Sequence, residues 1–188
     1  MHEEGEPRDR LYRFEGGKLT PPEMGDFWMG MAKKYPIISL EDIHAQDDPY
    51  GWKYTTEKVN GTLQLVGDDL FCTNKKLLID GMVSGQANSI LIKLNQNGTV
   101  SGTLDVMKAA MDNGYKCMVS HRSGLGMDSF MADLSVLAGE AKAGSYRERF
   151  LIYNWLIYLE AAHGLEYAGM SAFSKPVQAY WNRTWGTA

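Results

Sequence analysis

Ile90-Leu91-Ile92-Lys93-Leu94-Asn95-Gln96 is the stretch on which the fold turns. Its apolar residues run without the alternation of a half-exposed strand, so Ile90–Leu94 reads as a short strand covered on both faces. Helical patterns flank it. Lys75–Met82 precedes it, and Leu104, Met107, Ala110 and Met111 follow at helical spacing. Thr99 is a candidate cap for that second helix, and Gly114 lies just past its end. Outward, the unit recurs. Leu63–Val66 reads as a strand after a helix around Gly51–Val59, and Pro36–Leu40 as a strand before it. Thr20-Pro21-Pro22-Glu23 signals a helix start, with Met24, Phe27, Trp28 and Met31 on one apolar face. Toward the C-terminus, Cys117–Val119 and Gly139–Lys142 are a fourth and fifth strand, and a long helix spans Arg147–Ala162 and ends at Gly164. Strands alternating with helices imply βαβ units, a parallel sheet and the α/β class.

The ends of these strands are polar. Glu41-Asp42, Asp68-Asp69, Lys93, Ser120-His121-Arg122-Ser123 and Lys142 each close or follow one. Glu41, Asp68, Lys93 and His121 are separated by 27, 25 and 28 positions, each about one strand, one helix and two loops. They therefore belong on one rim of a parallel sheet, the carboxyl-terminal rim where (β/α) barrels carry their active sites. Two carboxylates on neighbouring strands suit Mg²⁺, a lysine beside them suits proton removal next to a carboxylate, and Arg with Ser suits phosphate. Singly, each residue has a plainer reading. A strand-end Asp or Glu is commonly a cap, Lys93 fits a snorkelling edge lysine, and His121 fits a structural histidine. His2, His44 and His163 lack supporting neighbours and read as surface residues.

The whole chain bounds the function. Its 188 residues suggest one domain or a large piece of one, and 44% hydrophobic with 22% charged residues is ordinary for a globular protein. A net charge of −4 argues against a general nucleic-acid binder but leaves room for a small phosphorylated substrate. Cys72 and Cys117 lie in apolar stretches and read as buried reduced thiols, without a disulfide framework or zinc spacing. The polar N-terminus is no signal peptide, no apolar run has the length of a membrane span, and the cytoplasm is the expected location. Residues 1–17 read as a loose leading segment, 18–173 as the folded unit, and 174–188 as a tail without clear pattern.

Four segments resemble enolases. Tyr35-Pro36-Ile37-Ile38-Ser39-Leu40-Glu41-Asp42 is similar to YPIVSIED, and Gln64–Phe71 with Thr73-Asn74 to QLVGDDLFVTN. Ala87–Gln96 is similar to ANSILIKVNQ, and Met118–Gly124 to the VSHRSG signature. Order and spacing match over roughly residues 11–173. The resemblance implies a partial (β/α) TIM-like barrel of about five parallel strands, the C-terminal part of an enolase barrel. It implies Glu41 and Asp68 as Mg²⁺ ligands and Lys93 as the base that takes the C2 proton of 2-phosphoglycerate. It also implies Ser120, His121, Arg122 and Ser123 as the substrate loop, with Arg122 and Ser123 toward phosphate, and Lys142 at the substrate carboxylate.

The resemblance has gaps. The family's general acid glutamate, its first metal-binding aspartate, further substrate-binding residues and three of eight barrel strands have no counterpart here. Ile43 replaces the usual Pro, Gly124–Asp128 loses two acidic residues, and Tyr158, Leu159, Ala161 and Ala162 replace charged residues of the long helix. Two readings follow. One is enolase-type dehydration of 2-phosphoglycerate to phosphoenolpyruvate, with another polypeptide or a second copy completing the barrel. The other is a non-catalytic enolase-like structural or interaction protein.

Overall fold

A computed structural model describes residues 10–121, 128–144 and 149–186. Its first described elements form a hairpin, β1 (Tyr12–Phe14) and β2 (Gly17–Leu19), so residues 12–17 of the expected leading segment are structured, while residues 1–9 lie outside the described residues. Glu15 and Gly16 both take positive φ (47° and 81°), which is the two-residue turn that matches strand twist. Helix α1 (Pro21–Lys34) starts at the expected capping box. The Glu23 amide donates to Thr20 Oγ1, and the Thr20 amide donates to Glu23 Oε2 at 2.8 Å. Phe27 of α1 meets Phe14 of the hairpin with ring centroids 4.7 Å apart, so the hairpin is pinned on the helix.

Five parallel strands follow in chain order: β3 (Ser39–Glu41), β4 (Gln64–Gly67), β5 (Ser89–Ile92), β6 (Lys116–Ser120) and β7 (Ala141–Lys142). They are joined by α2 (Pro49–Val59), α3 (Lys75–Ser84), the single turn α4 (Leu94–Asn97), α5 (Val100–Asp112) and α6 (Phe130–Ala138). Every residue of β4 and β5 is buried, as their apolar runs predict. Strand β3 starts three residues later than expected, because Pro36 has no amide to donate and the Ile37 amide turns back to the Tyr35 carbonyl. Strand β5 stops at Ile92, because the Lys93 amide goes to Thr73 Oγ1 (2.9 Å). Thr99 caps α5 as predicted, through the Gly102 amide.

The sheet is curled into a half-barrel. Gln64 Nε2 of β4 donates to Glu140 Oε2, just ahead of β7, at 2.7 Å, although two strands lie between them. The Lys142 ammonium, on one edge strand, pairs with Glu41 on the other. Leu65, Ile90, Ile92, Val106, Met107 and Val119 fill the core between sheet and helices.

After the sheet come α7 (Phe150–His163), a 3₁₀ turn (Gly169–Ala172) and α8 (Lys175–Thr184). Helices α6 and α8 are additions to the sequence reading. The run Phe130–Ala138 is too evenly apolar to show a stripe, and α8 occupies the supposed patternless tail. Val177 and Tyr180 of α8 pack back on the fold. Among the described residues, no helix is long and apolar enough to cross a membrane.

Candidate active site

Parallel strands in sequential order place their C-terminal ends on one rim, and the predicted residues lie there. Glu41 ends β3, Asp68 follows β4, Lys93 follows β5, Ser120 ends β6 with His121 next, and Lys142 ends β7. Glu41, Asp42 and Asp68 each offer a carboxylate oxygen, all within 4.8 Å of one another. The Lys93 ammonium pairs with Asp68 Oδ2, and both side chains are nearly buried. The Lys142 ammonium pairs with Glu41 Oε2 in a more open position.

Asp42 is the member that the sequence reading did not single out. Its φ of +46° turns the chain sharply after Glu41. Its Oδ1 accepts the Asp68 amide (2.9 Å) and its Oδ2 the Asp69 amide (3.0 Å). Both oxygens are thus spent on the neighbouring loop, and Asp42 fixes where Asp68 points. Burial raises its pKa, against the two amide bonds that favour the carboxylate, and repulsion from Asp68 and Asp69 adds a smaller rise.

A second bracket holds Lys93. Cys72 and Thr73 both take positive φ (47° and 49°), which folds the loop after β4 tightly. Buried Thr73 then accepts the Lys93 amide, donates to Gln96 Oε1 at 2.8 Å, and receives Asn97 Nδ2 on its carbonyl. Gln96 reaches Asp68 Oδ1 at 3.5 Å. The loops after β4 and β5 are therefore stitched together, which sets Lys93 against Asp68. Cys72 in this loop is half-buried rather than buried, whereas Cys117 is buried as expected.

Ser120 and His121 reach the rim differently. Ser120 is buried, and its hydroxyl donates to the His121 carbonyl. His121 has its pKa lowered by burial first, then by the positive charges of Arg149, Lys142 and Lys93. Its ring is therefore neutral near pH 7, and its buried Nδ1 has no hydrogen-bond partner. Arg122 and Ser123 lie outside the described residues.

His44 is not a surface residue, contrary to the sequence reading: it is 3% exposed, and its Nε2 hydrogen-bonds Thr55 Oγ1 at 2.8 Å. The cause is a notch of two glycines. A Cβ on Gly25 would meet Thr55 Oγ1 at 2.2 Å, and one on Gly51 would meet His44 Nδ1 at 2.7 Å. Burial drives the His44 pKa down to about 4. His163 is exposed as expected.

Residues 12–176 match the family described as "Enolase, C-terminal TIM barrel domain". The chain is 48% identical over 164 residues to the enolase of Wolinella succinogenes, covering 85% of this chain and 39% of that protein. It is 48% identical over 161 residues to enolase 1 of Chlorobaculum tepidum (82% and 38%). It is 46% identical over 166 residues to the enolase of Sulfurimonas denitrificans (85% and 39%). The chain thus spans about two fifths of the length of these relatives.

Proposed function

The chain belongs to the enolase family, and on that premise we propose that its rim is the C-terminal part of an enolase active site, dehydrating 2-phospho-D-glycerate to phosphoenolpyruvate when further polypeptide completes the barrel. The observation that carries this reading is the joint placement of Glu41, Asp68, Lys93 and Lys142 on one concave rim. Glu41 and Asp68 would hold Mg²⁺. Their oxygens, within 4.8 Å, are close to the ~4 Å between oxygens on opposite sides of one such ion. When bound, the ion supplies Lewis-acid stabilisation of charge on the substrate carboxylate.

The chain's own residues account for the rest. Lys93 Nζ takes the proton from C2. The electron pair left behind forms the C2–C3 double bond as the C3–O bond breaks. The hydroxyl leaves as water, with a proton from an acid that this reading assigns to the completing polypeptide. Lys142 balances the charge that grows on the substrate carboxylate, and neutral His121 with Ser120 shapes the pocket wall. Arg122 and Ser123 would grip phosphate. The same reading places the activity in glycolysis and in the cytoplasm, within a unit of residues 18–173.

A specific observation favours the second reading as well. Helix α7 exposes Phe150, Ile157 and Tyr158, and Tyr167 beyond it is 91% exposed. A cavity of about 650 Å³ opens beside edge strand β7. This apolar flank is where another polypeptide, or a second copy, would sit to close the barrel. In a purely structural role that surface would be used and the rim would be silent.

The test is phosphoenolpyruvate formation by the purified chain, alone and mixed with the portion of a relative enolase that it does not span. Mg²⁺-dependent turnover that disappears with Lys93→Ala supports the catalytic reading. A folded, associated complex without turnover leaves the interaction role.

A further inference from the structure

Three carboxylates and two ammoniums meet at the rim, and they are not paired at random. Asp42 gives both oxygens to backbone amides. The two carboxylates left for a cation, Glu41 and Asp68, each carry a lysine. Asp68 is further taken up by Gln96 on its other oxygen. A divalent ion placed among these oxygens would meet two ammoniums already in contact with them. Lys93 is held there by the Thr73 bracket, whose hydroxyl fixes its backbone. Lys142 comes from the opposite edge of the sheet, so its reach to Glu41 spans the mouth of the half-barrel.

We propose that Lys93 and Lys142 are the resident counter-cations of Asp68 and Glu41, and that a divalent cation enters only by displacing them. The proposal rests on the reading of Glu41 and Asp68 as cation ligands. The consequence is an exchange in which cation binding and release of the two amines are one event. The amine that must take a proton and the amine that must face the substrate are held on the carboxylates until the ion arrives. Like charges at about 5 Å repel, and more so at a half-buried rim than in water, so ion and paired lysines compete for the same carboxylates.

The test reads binding alone and needs no turnover. Mn²⁺ affinity of the purified chain, joined by the portion of a relative enolase that it does not span, is measured by electron paramagnetic resonance, for the native chain and for Lys142→Gln and Lys142→Arg. Lys142 is chosen because it is half-exposed, so its loss leaves no unpaired buried carboxylate. Lys142→Gln should bind Mn²⁺ on the order of tenfold more tightly, the effect of removing one unit charge near a divalent ion. Lys142→Arg keeps the competing charge and should stay near the native affinity. Unchanged or weaker binding by Lys142→Gln in a chain that binds Mn²⁺ overturns the exchange and leaves the ligand reading standing. No Mn²⁺ bound by any of the three overturns both.

Discussion

The two flanks of the half-barrel are closed in opposite ways. Beside β3, the hairpin, α1 and α2 enclose a buried polar cluster. Tyr12 donates to Asp48 Oδ2 at 2.5 Å and accepts the Ala45 amide at 3.0 Å. Asp48 Oδ1 accepts the Gly51 amide at 2.8 Å, and Trp52 Nε1 donates to the Ala45 carbonyl at 3.1 Å. Beside β7, α6, α7 and the 3₁₀ turn instead present apolar side chains and a cavity lined by Met118, Tyr153, Ile157 and Phe173. The first flank is specified by hydrogen bonds that only this geometry satisfies. The second is apolar area, which is non-directional and gains by being covered. The difference separates a flank held by directional hydrogen bonds from one held by apolar area alone.

The largest expected effect is on the first flank. Asp48→Ala strands the half-buried Tyr12 hydroxyl and the buried Gly51 amide, and should cost about 3 kcal/mol of stability in urea titrations. A loss within experimental error would show that the cluster is replaceable by water. Protonation of His44 is the next largest. Its folded pKa of about 4 lies below the ordinary histidine value, so the folded state favours the neutral ring. The stabilisation it gives is full above about pH 6.5 and is lost as pH falls toward 4, by roughly 3 kcal/mol at most. His44→Gln, which keeps a polar group near Thr55, should flatten that slope between pH 7 and 5. An unchanged slope would assign the acid sensitivity elsewhere.

Between the flanks, Glu140 is a buried carboxyl with its pKa raised by burial, and Gln64 favours its ionised form only in part. Its Oε1 and Gln64 Oε1 have no hydrogen-bond partner. A raised carboxyl pKa means that stability falls as pH climbs past the ordinary glutamate range and through the raised value. Glu140→Gln should therefore stabilise the chain by about 1 kcal/mol at pH 8 and by less at pH 4. The smallest effect on stability belongs to the second flank. Ile157→Lys, at a position 62% exposed, should shift unfolding by no more than about 0.5 kcal/mol. It should nevertheless abolish association with a completing polypeptide in sedimentation. Loss of stability with association intact would reverse the assignment of that face.

The rim was legible in the sequence because strand-to-strand spacing carries Glu41, Asp68, Lys93 and Lys142 to one edge whatever the details between them. The apolar runs of β4 and β5 likewise declared their burial. What stayed hidden depends on contacts far apart in sequence or on single dihedral angles. The hydrogen-bond partner of His44, Thr55, lies 11 positions on in another element. Tyr12, which bonds Asp48 in the same cluster, lies 36 positions before that aspartate. Asp42 directly follows Glu41, and its left-handed backbone brings its carboxylate onto the Asp68 and Asp69 amides. The α6 run Phe130–Ala138 had no polar face to give a period, and the hairpin rests on one two-residue turn at Glu15-Gly16.

The central claim is that Lys93, set by the Thr73 bracket, is the base of an enolase-type rim, and exchange at C2 tests it without needing the acid. The purified chain, joined by the portion of a relative enolase that it does not span, is incubated with 2-phosphoglycerate and Mg²⁺ in deuterium oxide. The C2 proton signal is then followed by nuclear magnetic resonance. The account predicts Mg²⁺-dependent loss of that signal with the native chain and its persistence with Lys93→Ala. Persistence in a folded, associated native complex, or loss that survives Lys93→Ala, would contradict it.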